Sequence, residues 1–174
     1  FNFPNIIKSE KCCMIADLAS NNTTSASFNI KANGTSVYNK SLGAVGIYSS
    51  ANEVNSGKVN FNSNSSDVKI DVVYNTASSS SKCWLNYISV NAWRELKYTG
   101  GMMSFRNPRN TSIDKLYKYQ ISNANNIYVW DVTNPVEPMR HELHFDADVA
   151  SFITAGAVNN EFVAFRLDAC KSVK

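Results

Sequence analysis

Hydrophobic and polar positions alternate with a period of two along much of this chain. In residues 26–32, Phe28, Ile30 and Ala32 fall on one side while Ser27, Asn29 and Lys31 fall on the other. That is the pattern of a strand with one buried face. Asn33-Gly34 follows at once, a pair that favours a two-residue hairpin turn because both residues tolerate positive φ. In residues 67–74, Val68, Ile70 and Val72 alternate with Lys69 and Asp71. Residues 83–90 are mostly β-formers, with Leu85, Tyr87 and Ser89 opposed to Trp84, Asn86, Ile88 and Val90. Residues 127–132 are apolar on both sides as far as Asp131, which predicts a central strand covered on both faces. Further strands are expected over 115–121, 141–145, 150–155 and 161–167, the last with Val163, Phe165 and Leu167 on one face.

Polar, turn-prone stretches separate these segments: Asn21 to Thr24, Asn62 to Ser66 and Ala77 to Ser81. No segment holds a clean helical period over three turns. Residues 91–98 suit either a single helical turn or a continuing strand. Asp131 and Asn134 can bond their own backbone and Pro135 cannot donate to a ladder, so the strand before them must stop and turn. Many short strands spaced by turns predict an all-β fold, a β-sandwich or jelly roll. A soft boundary runs from Gly100-Gly101 to Pro108. It divides the chain into a jelly-roll-like sandwich over 1–105 and a β-rich extension or small subdomain over 106–174 that leads to a catalytic domain outside this segment.

At 174 residues the chain is long enough to fold around its own core without a metal or disulfide staple. Charged residues make up only 18%, so Asn, Ser and Thr must supply the polar surface, a composition common in extracellular β proteins. The net charge of +3 is spread thinly, and Arg106 to Arg109 is the densest basic stretch. This excludes a concentrated phosphate-binding face, and nucleic acid with it. No apolar run approaches the roughly 20 residues of a membrane helix. The chain opens on Phe1-Asn2 and ends at Lys174 directly after a strand-like segment; both ends read as boundaries within a longer protein, with no leader peptide in view.

The four cysteines, Cys12, Cys13, Cys83 and Cys170, show no zinc-like spacing. Most are expected to be buried thiols, with a disulfide, for instance through Cys83, as the alternative. Cys12 and Cys13 must point to opposite faces of any strand. His141-Glu142-Leu143-His144 is the one clustered His/carboxylate group. It lacks the i, i+4 histidine pair of a metallopeptidase helix, and in a strand the two histidines diverge; a solvated strand face is expected and no metal site. Thiol catalysis would pair Cys83 or Cys170 with His141 or His144, but neither cysteine has a glycine-rich elbow beside it. The glycines at 43, 46, 100 and 101 precede no helix and read as turns or bulges, not phosphate cradles. Trp84, Trp93 and Trp130 are expected in the core. Asn33-Gly34-Thr35 and Asn110-Thr111-Ser112 match the glycosylation acceptor pattern, as chance allows in so Asn- and Ser-rich a chain.

Five stretches occur in a telling order: LNYISVNAWREL (Leu85–Leu96), FRNP (Phe105–Pro108), YVWDVTNPVEP (Tyr128–Pro138), FITAG (Phe152–Gly156) and EFVAF (Glu161–Phe165). The series resembles the β-rich region that precedes the peptidase domain in gingipain-related proteins, above all the sortase-like cysteine peptidase of the bacterial type IX secretion system. Asn86 stands where that family usually has an acidic residue. The resemblance covers roughly residues 80–167 and is weak before them. It implies a non-catalytic module of a larger surface peptidase that processes C-terminal sorting signals, sited at the outer membrane, cell surface or periplasm of a Gram-negative bacterium. The implied partners are an adjacent catalytic domain and other secretion-system or outer-membrane proteins, with no cofactor. No catalytic residue carries over; Arg94 and Trp130 match motif positions, with structural roles expected for both, an Arg anchored on loop carbonyls and a core indole. A second resemblance, to galactose-binding-type carbohydrate-binding modules, makes a sugar ligand the alternative and would require coplanar exposed aromatics.

Overall fold

The computed structural model describes residues 1–46, 51–109, 112–156 and 160–170. The chain is all-β and divides into two compact units, Phe1–Glu95 and Leu96–Lys174.

In the first unit the longest strands are β1 (Cys12–Asn21) and β7 (Lys82–Asn91), which pair antiparallel. The other flank of β1 is covered in succession by β5 (Val59–Phe61) and β4 (Asn52–Asn55). Alternate β1 residues, Cys12, Met14, Ala16, Leu18 and Ser20, are buried. The second sheet has β2 (Ala26–Ala32) between β3 (Thr35–Leu42) and β6 (Ile70–Thr76). Here Phe28, Ile30 and Ala32 point inward as their alternation requires. Both sheets contribute to one core that includes Met14, Leu18, Phe28, Ile30, Val54 and Phe61, so the unit is a β-sandwich. Asn33 and Gly34 have φ of 48° and 82°, the double positive φ of a primed hairpin turn. The amino-terminal segment is stitched on by bridges from Asn2 to Asp67 and from Ile6 to Arg94. The Arg94 Nε donates to the Pro4 carbonyl at 2.8 Å, the anchoring expected of it.

A buried polar knot closes one end of this sandwich. Asn22 is fully buried. Its Nδ2 donates to the carbonyls of Thr24 (2.7 Å) and Gly43 (2.8 Å), and its Oδ1 accepts from Ser20 Oγ at 2.8 Å and Asn52 Nδ2 at 3.2 Å. Each side-chain atom is thus satisfied, as burial of an amide demands.

The second unit also has two sheets. One runs β11 (Met139–Arg140), β10 (Tyr128–Asp131), β14 (Glu161–Phe165), β8 (Met102–Arg106); the other runs β12 (His144–Asp146), β13 (Val149–Ala155), β9 (Leu116–Ile121). Their core is aromatic. Tyr119 stacks on Phe152 with centroids 5.1 Å apart and planes 5° apart, and Phe162 lies 5.1 Å from Tyr119 and 5.3 Å from Phe152. Tyr98 is buried with its hydroxyl donating to the Gly101 carbonyl at 2.7 Å. Gly156 is buried where a Cβ would overlap the Ser112 carbonyl and the Tyr117 ring.

Several expectations need correction. The break expected between 105 and 106 falls inside β8, which pairs along its whole length with β14. The strand over 127–132 is not covered on both faces: Val129 is buried but Trp130 is 38% exposed, so among the described residues its outer side meets solvent. Of the strand expected over 141–145, residues 141–143 are irregular and only 144 and 145 are in a strand, β12; β11 ends just before the segment. The segment over 161–167 ends as a strand at Phe165 and closes in a 3-10 turn, Leu167–Ala169. Residues 91–98 form no helical turn; past β7 they hold only isolated bridges, at Arg94 and Lys97.

Candidate interaction surfaces

His141 lies against Phe152 and Phe162, with ring centroids 4.6 and 5.6 Å away. Its Nε2 is buried without a hydrogen-bond partner. Burial pushes this imidazole below the usual histidine range, opposed in part by the Asp131 carboxylate. The expected solvated strand face therefore holds for His144 in β12; Glu142 is exposed but outside any strand, and His141 is half-buried against the aromatic rings. Among the described residues no group of three or more His, Cys, Asp or Glu side chains could hold a metal ion.

The cysteines also depart from expectation. All four are free thiols, and only Cys12 is buried, with its pKa raised by desolvation. Cys13 points to the opposite face of β1, half-buried, while Cys83 and Cys170 are exposed. Cys83 stands opposite the buried Ser20 near the start of β7 and is nonetheless exposed. Gly43 accepts bonds in the Asn22 knot, and Gly100 and Gly101 turn with positive φ. The acceptor pattern at Asn110-Thr111 lies outside the described residues; Asn33 is taken up by the turn, its Oδ1 accepting from the Lys69 amide at 2.8 Å.

Two apolar surfaces are exposed instead. On the second unit, the outer side of the β11-β10-β14-β8 sheet aligns Arg140, Trp130 and Val163 in one row and Tyr128, Phe165 and Met102 in the next. The Trp130 ring meets Phe165 edge-on at 72°, and the Arg140 guanidinium caps Tyr128 at 4.8 Å from its centroid. An open groove beside this face is lined by Asn125, Arg140, Phe145, Arg166 and Asp168. On the first unit, β7 exposes Trp84 (50%), Leu85 (52%) and Tyr87 (45%). Trp93 is half-buried, so none of the three tryptophans is in a core. The signal for this was available in β7: apolar residues occupy both of its faces, and a sheet flank can bury only one.

Fold and surfaces together define the class: a two-unit, all-β module with exposed apolar faces. Among solved structures, the chain is similar to dimeric latent PorU from Porphyromonas gingivalis, with a TM-score of 0.80 at 14% identity. The likeness covers 95% of this chain and 17% of that one, and at this identity it is a likeness of fold. No family model and no curated protein matches the chain.

Proposed function

We propose that this chain is a structural and interaction module, itself non-catalytic, of a larger bacterial surface cysteine peptidase of the gingipain-like kind that processes C-terminal sorting signals in type IX secretion. The observation that carries the reading is the fold shared with PorU over 95% of the chain. The ordered motifs from Leu85 to Phe165 lead to the same family. Its partners would be the adjacent catalytic domain and other secretion-system or outer-membrane proteins, at the cell surface or in the periplasm. The engagement of His141 in an aromatic core and the desolvation of the Cys12 thiol support a role without nucleophilic chemistry. Two sandwich-like β units give stiffness, so the work is positional: setting the distance and orientation of a catalytic domain and presenting faces to partners.

The alternative, a carbohydrate-binding module, calls for flat coplanar rings. The 72° angle between Trp130 and Phe165 and the cap on Tyr128 do not supply them. The test is the reading frame that flanks this segment. A caspase-like domain with a His and Cys pair upholds the proposal. A glycoside hydrolase domain overturns it, and a glycan-array signal from the purified chain would then identify the sugar.

A further inference from the structure

Two arginines of the second unit stand in one groove without an acid to hold. Arg106 pairs with Glu161 at 3.0 Å, and Arg94 donates to the Pro4 carbonyl. Among the described residues, Arg140 and Arg166 form no ion pair. Both line the open groove of about 650 Å³ that passes the start of β10 and the end of β14, with Phe145 contributed by β12 of the other sheet.

Each guanidinium is already fixed in place. Arg140 lies over the Tyr128 ring, 4.8 Å from its centroid. Arg166 lies over the Tyr98 ring at 5.1 Å, and its Nε donates to the Asn125 carbonyl at 3.0 Å. A ring face attracts the cation but leaves its in-plane N–H donors unused. Arg140 therefore keeps its donors, and Arg166 keeps those of its two terminal nitrogens. Arginines pinned in this way lose little further freedom on binding, and their planar fork matches a carboxylate.

The rest of the lining narrows the ligand. Phe145 is 46% exposed and Leu167 64% exposed beside the arginines. Apolar steps next to positive charge fit a carboxylate carried beside an apolar side chain better than a bare inorganic anion, which would leave those steps wet. Asp168 is the one acid in the lining. It repels a second negative charge, which disfavours an acidic run or a phosphate dianion, and it can accept an N–H. A peptide supplies such N–H groups along its backbone.

We propose that this groove is a docking site for an extended peptide segment of a partner protein. One aspartate or glutamate of that segment is held by Arg140 and Arg166, and a neighbouring apolar side chain rests on Phe145 and Leu167. None of this depends on which domain flanks the chain, so the groove can fail this reading while the proposed function stands.

Fluorescence anisotropy on the full chain tests it, with a labelled peptide, blocked at both ends, that carries one glutamate between a leucine and a phenylalanine. Saturable binding is expected. The same peptide with glutamine should bind at least about ten-fold more weakly, as for loss of a charge-assisted pair. Arg140→Gln and Arg166→Gln should each weaken binding similarly with the circular dichroism spectrum unchanged, and Arg106→Gln, outside the lining, should leave it as it was. Asp168→Asn should tighten binding several-fold, a gain that a folding defect cannot produce. Absence of binding, equal binding of the glutamate and glutamine peptides, arginine variants that bind like the parent, or weaker binding by Asp168→Asn would each overturn the proposal. Displacement of the peptide by inorganic phosphate or by phosphatidylglycerol vesicles at comparable concentrations would overturn it too, and would make the groove a general anion site or a lipid site.

Discussion

Three residues show how much hangs on single side chains, and each yields a measurable expectation. Asn22→Ala removes a fully buried amide with partners on Ser20, Thr24, Gly43 and Asn52. Stranding buried polar groups costs about 1–3 kcal/mol each, so urea denaturation should show a loss of at least that size. Gly156→Ala drives a methyl group into the Ser112 carbonyl and the Tyr117 ring, and overpacking of this kind costs about 1–3 kcal/mol. His141 makes stability depend on pH. Its pKa is lowered in the folded state, so the neutral ring is the one the fold accepts. The stability it contributes is present above the unfolded histidine pKa of about 6.5 and is lost as pH falls through the lower folded value. Melting temperature should therefore drop on acidification through that window, and His141→Phe should flatten the drop; an unchanged slope would show that another group titrates. The aromatic setting of His141 could not be read from the sequence, since its neighbours Phe152 and Phe162 sit on β13 and β14, in two different sheets.

Strands were legible in proportion to how cleanly they separate two faces. β2 coincides with the alternation of residues 26–32, and β9, β13 and β14 lie close to their expected positions. β1, the central strand of the first sandwich, was not legible: its outer positions include Ile15 and Ala19 beside Asp17, so both faces read as apolar or small. The opposite error affected β10, where apolar residues on both faces were taken as burial although one face meets solvent, and Trp84 of β7, which was expected in the core and is exposed. The all-β class survived these errors because it rests on period two, which does not depend on which face is covered. Trp130 measures the difference. A core indole would lose roughly 3–5 kcal/mol on truncation to Ala. At 38% exposure, with an edge-on Phe165 contact, the expected loss for Trp130→Ala is about 1–2 kcal/mol. A larger loss in chemical denaturation would mean that this face is covered after all.

For the whole chain, the decisive feature is where the cooperative units end. Among the described residues the strand pairs join residues within 1–95 or within 96–174, and each unit has its own buried cluster. The glycine pair and proline that marked a boundary near 105 are real turns, but they precede and follow β8 without separating it from β14, its partner across some 55 residues of chain. Composition sees where the chain bends; it does not see which strand a hydrogen-bonded edge needs. Two dissections distinguish these readings. Cut after Glu95, each half keeps every strand partner, so both fragments should unfold cooperatively and keep near-ultraviolet dichroism, with the pH dependence of His141 confined to the second. Cut after Phe105, the second fragment loses the β8 residues Met102, Met103, Ser104 and Phe105, and with them the partners of Phe162 to Phe165, and it loses Leu96, Tyr98, Met103 and Phe105 from its core. Removing that much apolar contact from so small a core should leave the second fragment loosely packed, with secondary structure but no cooperative melt. Equal behaviour of the two fragments would mean that β8 contributes little to the unit it joins.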